Sequence, residues 1–75
     1  MVNVPFPLWV ERQQLRDDPI GDVARDACLD PDWPEEGTLS DLRRIVGSDL
    51  HWILDEAWEE YLALEREGKL PKRPR

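Results

Sequence analysis

Apolar residues recur at helical spacing in four runs along the chain, and proline or glycine marks the breaks between them. In the first run Phe6, Trp9, Val10 and Gln13 share one face at 3.6-residue periodicity, which predicts a helix over Pro7–Leu15. Leu8 and Leu15 fall about 180° away, so this helix has two apolar sides and is either sandwiched between elements or leaves a patch exposed. Asp17-Asp18-Pro19 predicts the next start, because Asp18 can accept from free amides and the missing N–H of Pro19 costs nothing in a first turn. The second helix runs to about Leu29, with Ile20, Val23, Ala24, Ala27 and Cys28 as its buried stripe and Asp22, Arg25 and Asp26 toward solvent.

Residues Asp30–Gly37 hold two prolines and a glycine and predict an irregular connector, in which Trp33 is the apolar anchor that folds back over the other elements. Thr38 followed by Asp41 resembles a capping box and opens a short third helix through Leu39, Leu42, Ile45 and Val46, ended by Gly47. Ser48 or Asp49 is expected to cap the fourth helix, whose stripe is Leu50, Ile53, Leu54, Ala57, Trp58 and Tyr61 and whose stop is Gly68. Lys69–Arg75 has no periodicity and is expected to be disordered. The expectation is an all-α, compact four-helix bundle over residues 1–68 with a basic flexible tail over 69–75.

Composition narrows the class. A 75-residue chain buries only about 60% of the surface its unfolded form exposes, which leaves little room for a deep enzyme cleft. A single cysteine, Cys28, excludes an internal disulfide, and one histidine, His51, leaves too few ligands for a structural zinc site. The core therefore relies on Trp9, Trp33, Trp52, Trp58, Phe6 and Tyr61 for large apolar area. No run approaches the roughly 20 apolar residues of a membrane span, and no charged leader precedes a long apolar stretch, so a soluble, cytoplasmic protein is expected. The net charge of −7 is uneven: carboxylates concentrate in 17–36 and 49–67, cations in the tail. An acidic body repels phosphate backbones and disfavours duplex binding.

An ordered string across residues 6–62 carries a resemblance: Phe6-x-x-Trp9-Val10, Gln13, Arg16-Asp17-Asp18-Pro19-Ile20-Gly21-Asp22, Ala24, Asp26, Asp30, Trp33-Pro34 and Asp55-Glu56-Ala57-Trp58-x-x-Tyr61. It resembles the YozE-type SAM-like family of small bacterial proteins. The resemblance implies a four-helix bundle related in shape to sterile alpha motif domains, and it carries over no catalytic residue. Suggestions of nucleic-acid binding in that family rest on fold similarity. The chain departs from the family pattern at Trp33, where phenylalanine is expected, and across Gly37–Asp49, which is shorter. The orientation of the third helix is left open.

Candidate chemistry is sparse. Asp17, Asp18 and Asp22 offer converging carboxylates of the kind a hard cation needs, but helix capping accounts for them without a metal. Asp30-x-Asp32-x-x-Glu35-Glu36 lacks the central glycine and the twelfth-position glutamate of a calcium loop. Cys28 reads as a small hydrophobe in its stripe and His51 as a boundary residue. No catalytic residue, cofactor or metal is expected, and the chain is not read as an enzyme.

Trp52 lies about 180° from the stripe of its own helix, beside Asp55, Glu56 and Glu59. With Leu8 and Leu15 it forms the candidate partner-binding set, against the simpler account that all three pack inward. The expected function is a bacterial or phage-encoded protein-interaction module, with another protein as partner. Two alternatives stand beside it. One is a nucleic-acid-binding domain using Arg12, Arg16, Arg43, Arg44, Lys69, Lys72, Arg73 and Arg75. The other is an acidic DNA mimic that occupies a nucleic-acid-binding protein.

Overall fold

Asp18 has extended backbone and its side chain accepts from Gly21 N–H at 2.9 Å, so the second predicted helix begins where the Asp-Pro signal placed it. The computed structural model describes residues 1–74. Among them are β1 (Val2–Asn3), α1 (Phe6–Glu11), α2 (Pro19–Leu29), α3 (Leu39–Arg43), a 3₁₀ turn (Ser48–Leu50), α4 (His51–Arg66) and β2 (Lys72–Arg73). The core joins Phe6, Trp9 and Val10 of α1 to Ile20, Val23 and Ala24 of α2, Leu42 of α3, and Ile53, Leu54, Ala57 and Tyr61 of α4. Phe6 is its aromatic centre: Trp58 and Tyr61 meet it edge-on at 4.8 and 5.3 Å between ring centroids.

The all-α expectation is corrected by a two-stranded antiparallel sheet that ties the ends of the chain together, making the fold mixed although mostly helical. Val2 pairs with Arg73 and Asn3 with Lys72, and Val4 N–H extends the ladder to the Pro71 carbonyl at 2.9 Å. The tail expected to be disordered is thus docked as far as it is described. Leu70 is only 4% exposed and belongs to the core, and the Tyr61 hydroxyl donates to the buried Val4 carbonyl at 2.7 Å. Burial, and then the charge of Glu65, push the Tyr61 phenol up, which keeps it protonated as that donor. Pairing across the whole length of the chain has no local period, so two-residue strands flanked by prolines read as a loop.

Four further positions depart from expectation. First, α1 stops at Glu11 and not at Leu15, because Gln13 N–H takes the Val10 carbonyl at 2.9 Å and the helix tightens into turns. Second, Cys28 is exposed, its Sγ 3.6 Å from the Glu11 carbonyl, since the stripe of α2 ends at Ala27. Third, α3 ends at Arg43 and leaves Ile45 47% exposed. Fourth, Ser48 and Asp49 sit in the 3₁₀ turn, and neither side chain caps α4. The C-terminal stop follows the sequence: Gly68 has φ +68°, its N–H takes the Glu65 carbonyl at 3.1 Å, and Lys69 N–H takes the Leu64 carbonyl at 2.9 Å, a Schellman closure.

The Asp18 cap of α2 and Asp41, the third helical residue of the capping box opened by Thr38, give the fold an acid-sensitive component. Gly21 N–H, then the Arg16 guanidinium, hold the Asp18 carboxyl below its usual range; Thr38 N–H at 2.8 Å does the same for Asp41. Each carboxylate is favoured in the folded chain, so its contribution is complete above the ordinary aspartate range near pH 4 and drains as pH falls through and below it. Thermal melts of the wild type and of an Asp18→Asn, Asp41→Asn chain should therefore converge on acidification. A gap that stays constant from pH 6 to pH 2 would remove the caps as the cause.

Candidate partner-binding surface

The inward stripe of α4 dictates its outer face. With Ile53, Leu54, Ala57 and Tyr61 turned to the core, the residues at helical spacing on the other side are Trp52, Glu56 and Glu59, with Asp55 at the flank. Trp52 is 53% exposed in the first turn. Glu56 and Glu59 are exposed, while Asp55 is half-buried and ion-paired with Arg43 of α3. Trp52, Asp55, Glu56 and Glu59 therefore share one surface. Leu8 does not join it as a free anchor: it is half-buried against the core. Leu15 is 95% exposed, on the turns that follow α1, a different segment of the surface.

Against models of known protein families, curated proteins and solved structures, the chain finds no match.

Most of the candidate phosphate-binding cations are already engaged. The Arg16 guanidinium donates to Glu60 at 2.8 Å and to Asp18 at 2.8 Å, and the bond to Glu60 is the main reason its pKa is raised further. Arg43 pairs with Asp55, Arg73 with Glu36 at 2.9 Å and Lys69 with Glu67 at 3.3 Å, and Lys72 donates to the Asn3 side chain. Arg12 and Arg44 are exposed and have no ion pair among the described residues; Arg75 lies outside them. Arg16 and Arg43 meet α4 at Glu60 and Asp55, five residues or about 140° apart around the helix, so they flank it on different sides and do not form one patch.

The histidine and cysteine have structural partners. His51 Nε2 lies 3.0 Å from the carbonyl oxygens of both Arg43 and Val46, acceptors that require this nitrogen to carry the hydrogen. That contact ties the end of α3 to the start of α4. Cys28 Sγ meets the Glu11 carbonyl. Among the described residues no helix is long and apolar enough to cross a membrane.

A second surface feature was not legible from the chain. An open cleft of about 200 Å³ lies between the C-terminal half of α2, the connector and the α3–α4 junction. Its apolar walls are Val23, Ala27, Trp33, Ile45, Val46 and Leu50, with Asp26 and Asp30 also lining it. Each wall residue carries an apolar signal, but the signal assigns it to the core and cannot say that α3 ends early enough to leave a gap.

Proposed function

We propose that the protein is a non-enzymatic protein-interaction module, bacterial or phage-encoded and acting in the cytoplasm, that binds through the outer face of α4 with Trp52 as anchor. The observation that carries this reading is a half-exposed tryptophan held on a regular helix and surrounded by Asp55, Glu56 and Glu59. Tryptophan is among the residues that most often dominate interface energetics, and a rigid helix presents it at little ordering cost. A partner surface with an apolar pocket rimmed by basic residues complements it. The likeness of the Phe6–Tyr61 string to the YozE-type family supports a small bacterial module and adds no chemistry of its own.

Nucleic acid is the weaker reading. Arg16, Arg43, Lys69 and Arg73 would each give up a carboxylate to bind phosphate.

The test is capture from source-cell lysate on immobilised chain, with and without nuclease, comparing wild type with Trp52→Ala. Trp52 is half-exposed and lies outside the core cluster, so Trp52→Ala should remain folded at a cost of about 1 kcal/mol, while retention of a protein partner should fall at least tenfold and survive nuclease in the wild type. Equal retention by the variant, or recovery that nuclease abolishes, would overturn the proposal.

A further inference from the structure

The cleft beside α2 is built differently from the Trp52 face. Trp33 is fixed there by a hydrogen bond from its Nε1 to the Pro7 carbonyl at 3.0 Å, so the polar edge of the indole is satisfied elsewhere and its ring serves as apolar wall. Ile45, on the α3–α4 junction, also lines the cleft and is 47% exposed although it is a large aliphatic residue. At about 200 Å³ the space is smaller than the 300–1,000 Å³ of pockets for drug-sized ligands and close to a cavity that admits one benzene-sized group. Its size suits one bulky side chain.

The charge at its edge selects the kind of side chain that accompanies that anchor. Asp26 and Asp30 lie one helical turn apart and have no ion pair among the described residues. Asp30 is also the C-cap of α2, where the C-terminal end of the helix dipole adds partial negative charge although the Ala27 carbonyl accepts the Asp30 N–H, and the last turn of α2 carries no basic residue. Asp30 accepts the Asp32 N–H at 2.8 Å, but no cation among the described residues neutralises either carboxylate, so the cleft pairs an apolar slot with a negative rim.

We propose that this cleft docks a basic linear peptide segment of a partner protein, one bulky apolar side chain entering the slot and flanking lysine or arginine meeting Asp26 and Asp30. The net charge of −7 opposes a second copy of the chain as occupant. The proposal extends the interaction-module reading to a surface that Trp52 does not line, so the two fail separately.

Selection of a displayed library of random ten-residue peptides on the immobilised chain tests it, followed by anisotropy titration of the enriched peptides. Enriched sequences are expected to carry one bulky apolar residue with at least two neighbouring lysines or arginines. Their Kd is expected to rise at least tenfold in Ile45→Ser and again in Asp26→Lys, to rise with added salt, and to stay unchanged in Trp52→Ala. Far-ultraviolet circular dichroism checks that each variant is folded, and the exposed Asp26→Lys serves if Ile45→Ser is not. Failure to enrich any peptide, enriched peptides without basic residues, or unaltered binding by Asp26→Lys overturns the proposal. Loss of binding in Trp52→Ala would move the site to the outer face of α4. A concentration-dependent dimer abolished by Ile45→Ser would make a second copy the occupant, contrary to the inference.

Discussion

Leu70→Ala is expected to lower the unfolding free energy by about 3 kcal/mol, although the residue lies in a segment whose sequence reads as a solvated tail. Leu70 is 4% exposed and sits in the same core cluster as Val4, which is fully buried. Truncating it removes apolar contact and leaves a cavity under the terminal sheet, where Val4 N–H meets the Pro71 carbonyl at 2.9 Å and the Tyr61 hydroxyl meets the Val4 carbonyl at 2.7 Å. In a domain of this size each kcal/mol moves the melting midpoint by roughly 4–8 °C, so the variant should melt more than about 10 °C below the parent by circular dichroism. The neighbouring Lys69→Ala, on an exposed side chain, is the control and should melt within a few degrees of the parent. If Leu70→Ala melts with that control, the C-terminal segment contributes nothing to the core.

A second large effect is expected from Gly21→Ala, which nominally improves helix propensity near the start of α2. A Cβ at Gly21 would lie 2.0 Å from the Arg16 carbonyl oxygen and 2.8 Å from its carbonyl carbon. Those are backbone atoms, so no rotamer change relieves the clash. The same carbonyl accepts from Arg25 at 3.0 Å, and the Arg16 side chain is held by Asp18 and Glu60, so the turn before α2 is fixed from several directions. Alanine must push that turn outward, at a cost of about 3 kcal/mol or more, against the few tenths to 1 kcal/mol that a glycine-to-alanine change can return by stiffening the unfolded chain. Urea titration should show a clearly lower midpoint with an unchanged slope. A midpoint at or above that of the parent would mean that the close approach of α2 to Arg16 is not maintained in solution.

Both cases show where local pattern and tertiary contact diverge. Gly21 stands inside the helix-start signal, yet the close approach that requires glycine there involves the chain five residues earlier. Leu70 lies between Lys69 and Pro71 with no helical or alternating partner, so periodicity alone assigns it to solvent. For the candidate surface the same division holds. The angle of Trp52 to the α4 stripe was legible from residues 50–61 alone, but that the side chain stays exposed on that face and does not pack inward was decided by the fold. The burial of Leu8 was not legible either, because it depends on what α1 packs against. The pairing of Arg16 with Glu60 across 44 positions, which removes a cation from the nucleic-acid candidates, has no sequence signature at all.

What the chain by itself determined are features made by residues within a turn of one another. These are the Asp18 start of α2, the apolar stripes of α2 and α4 apart from their edges, the Thr38–Asp41 opening of α3 and the glycine that closes α4. Helical hydrogen bonds and caps span three to five residues, so their chemistry is written contiguously. Only the tertiary structure decided where α1 ends, that the two termini pair as strands, that Cys28 and Ile45 face outward, and that a cleft opens beside α2. Each of those depends on which distant surface is available to cover an apolar or hydrogen-bonding group, and that is settled by packing after the local elements have formed.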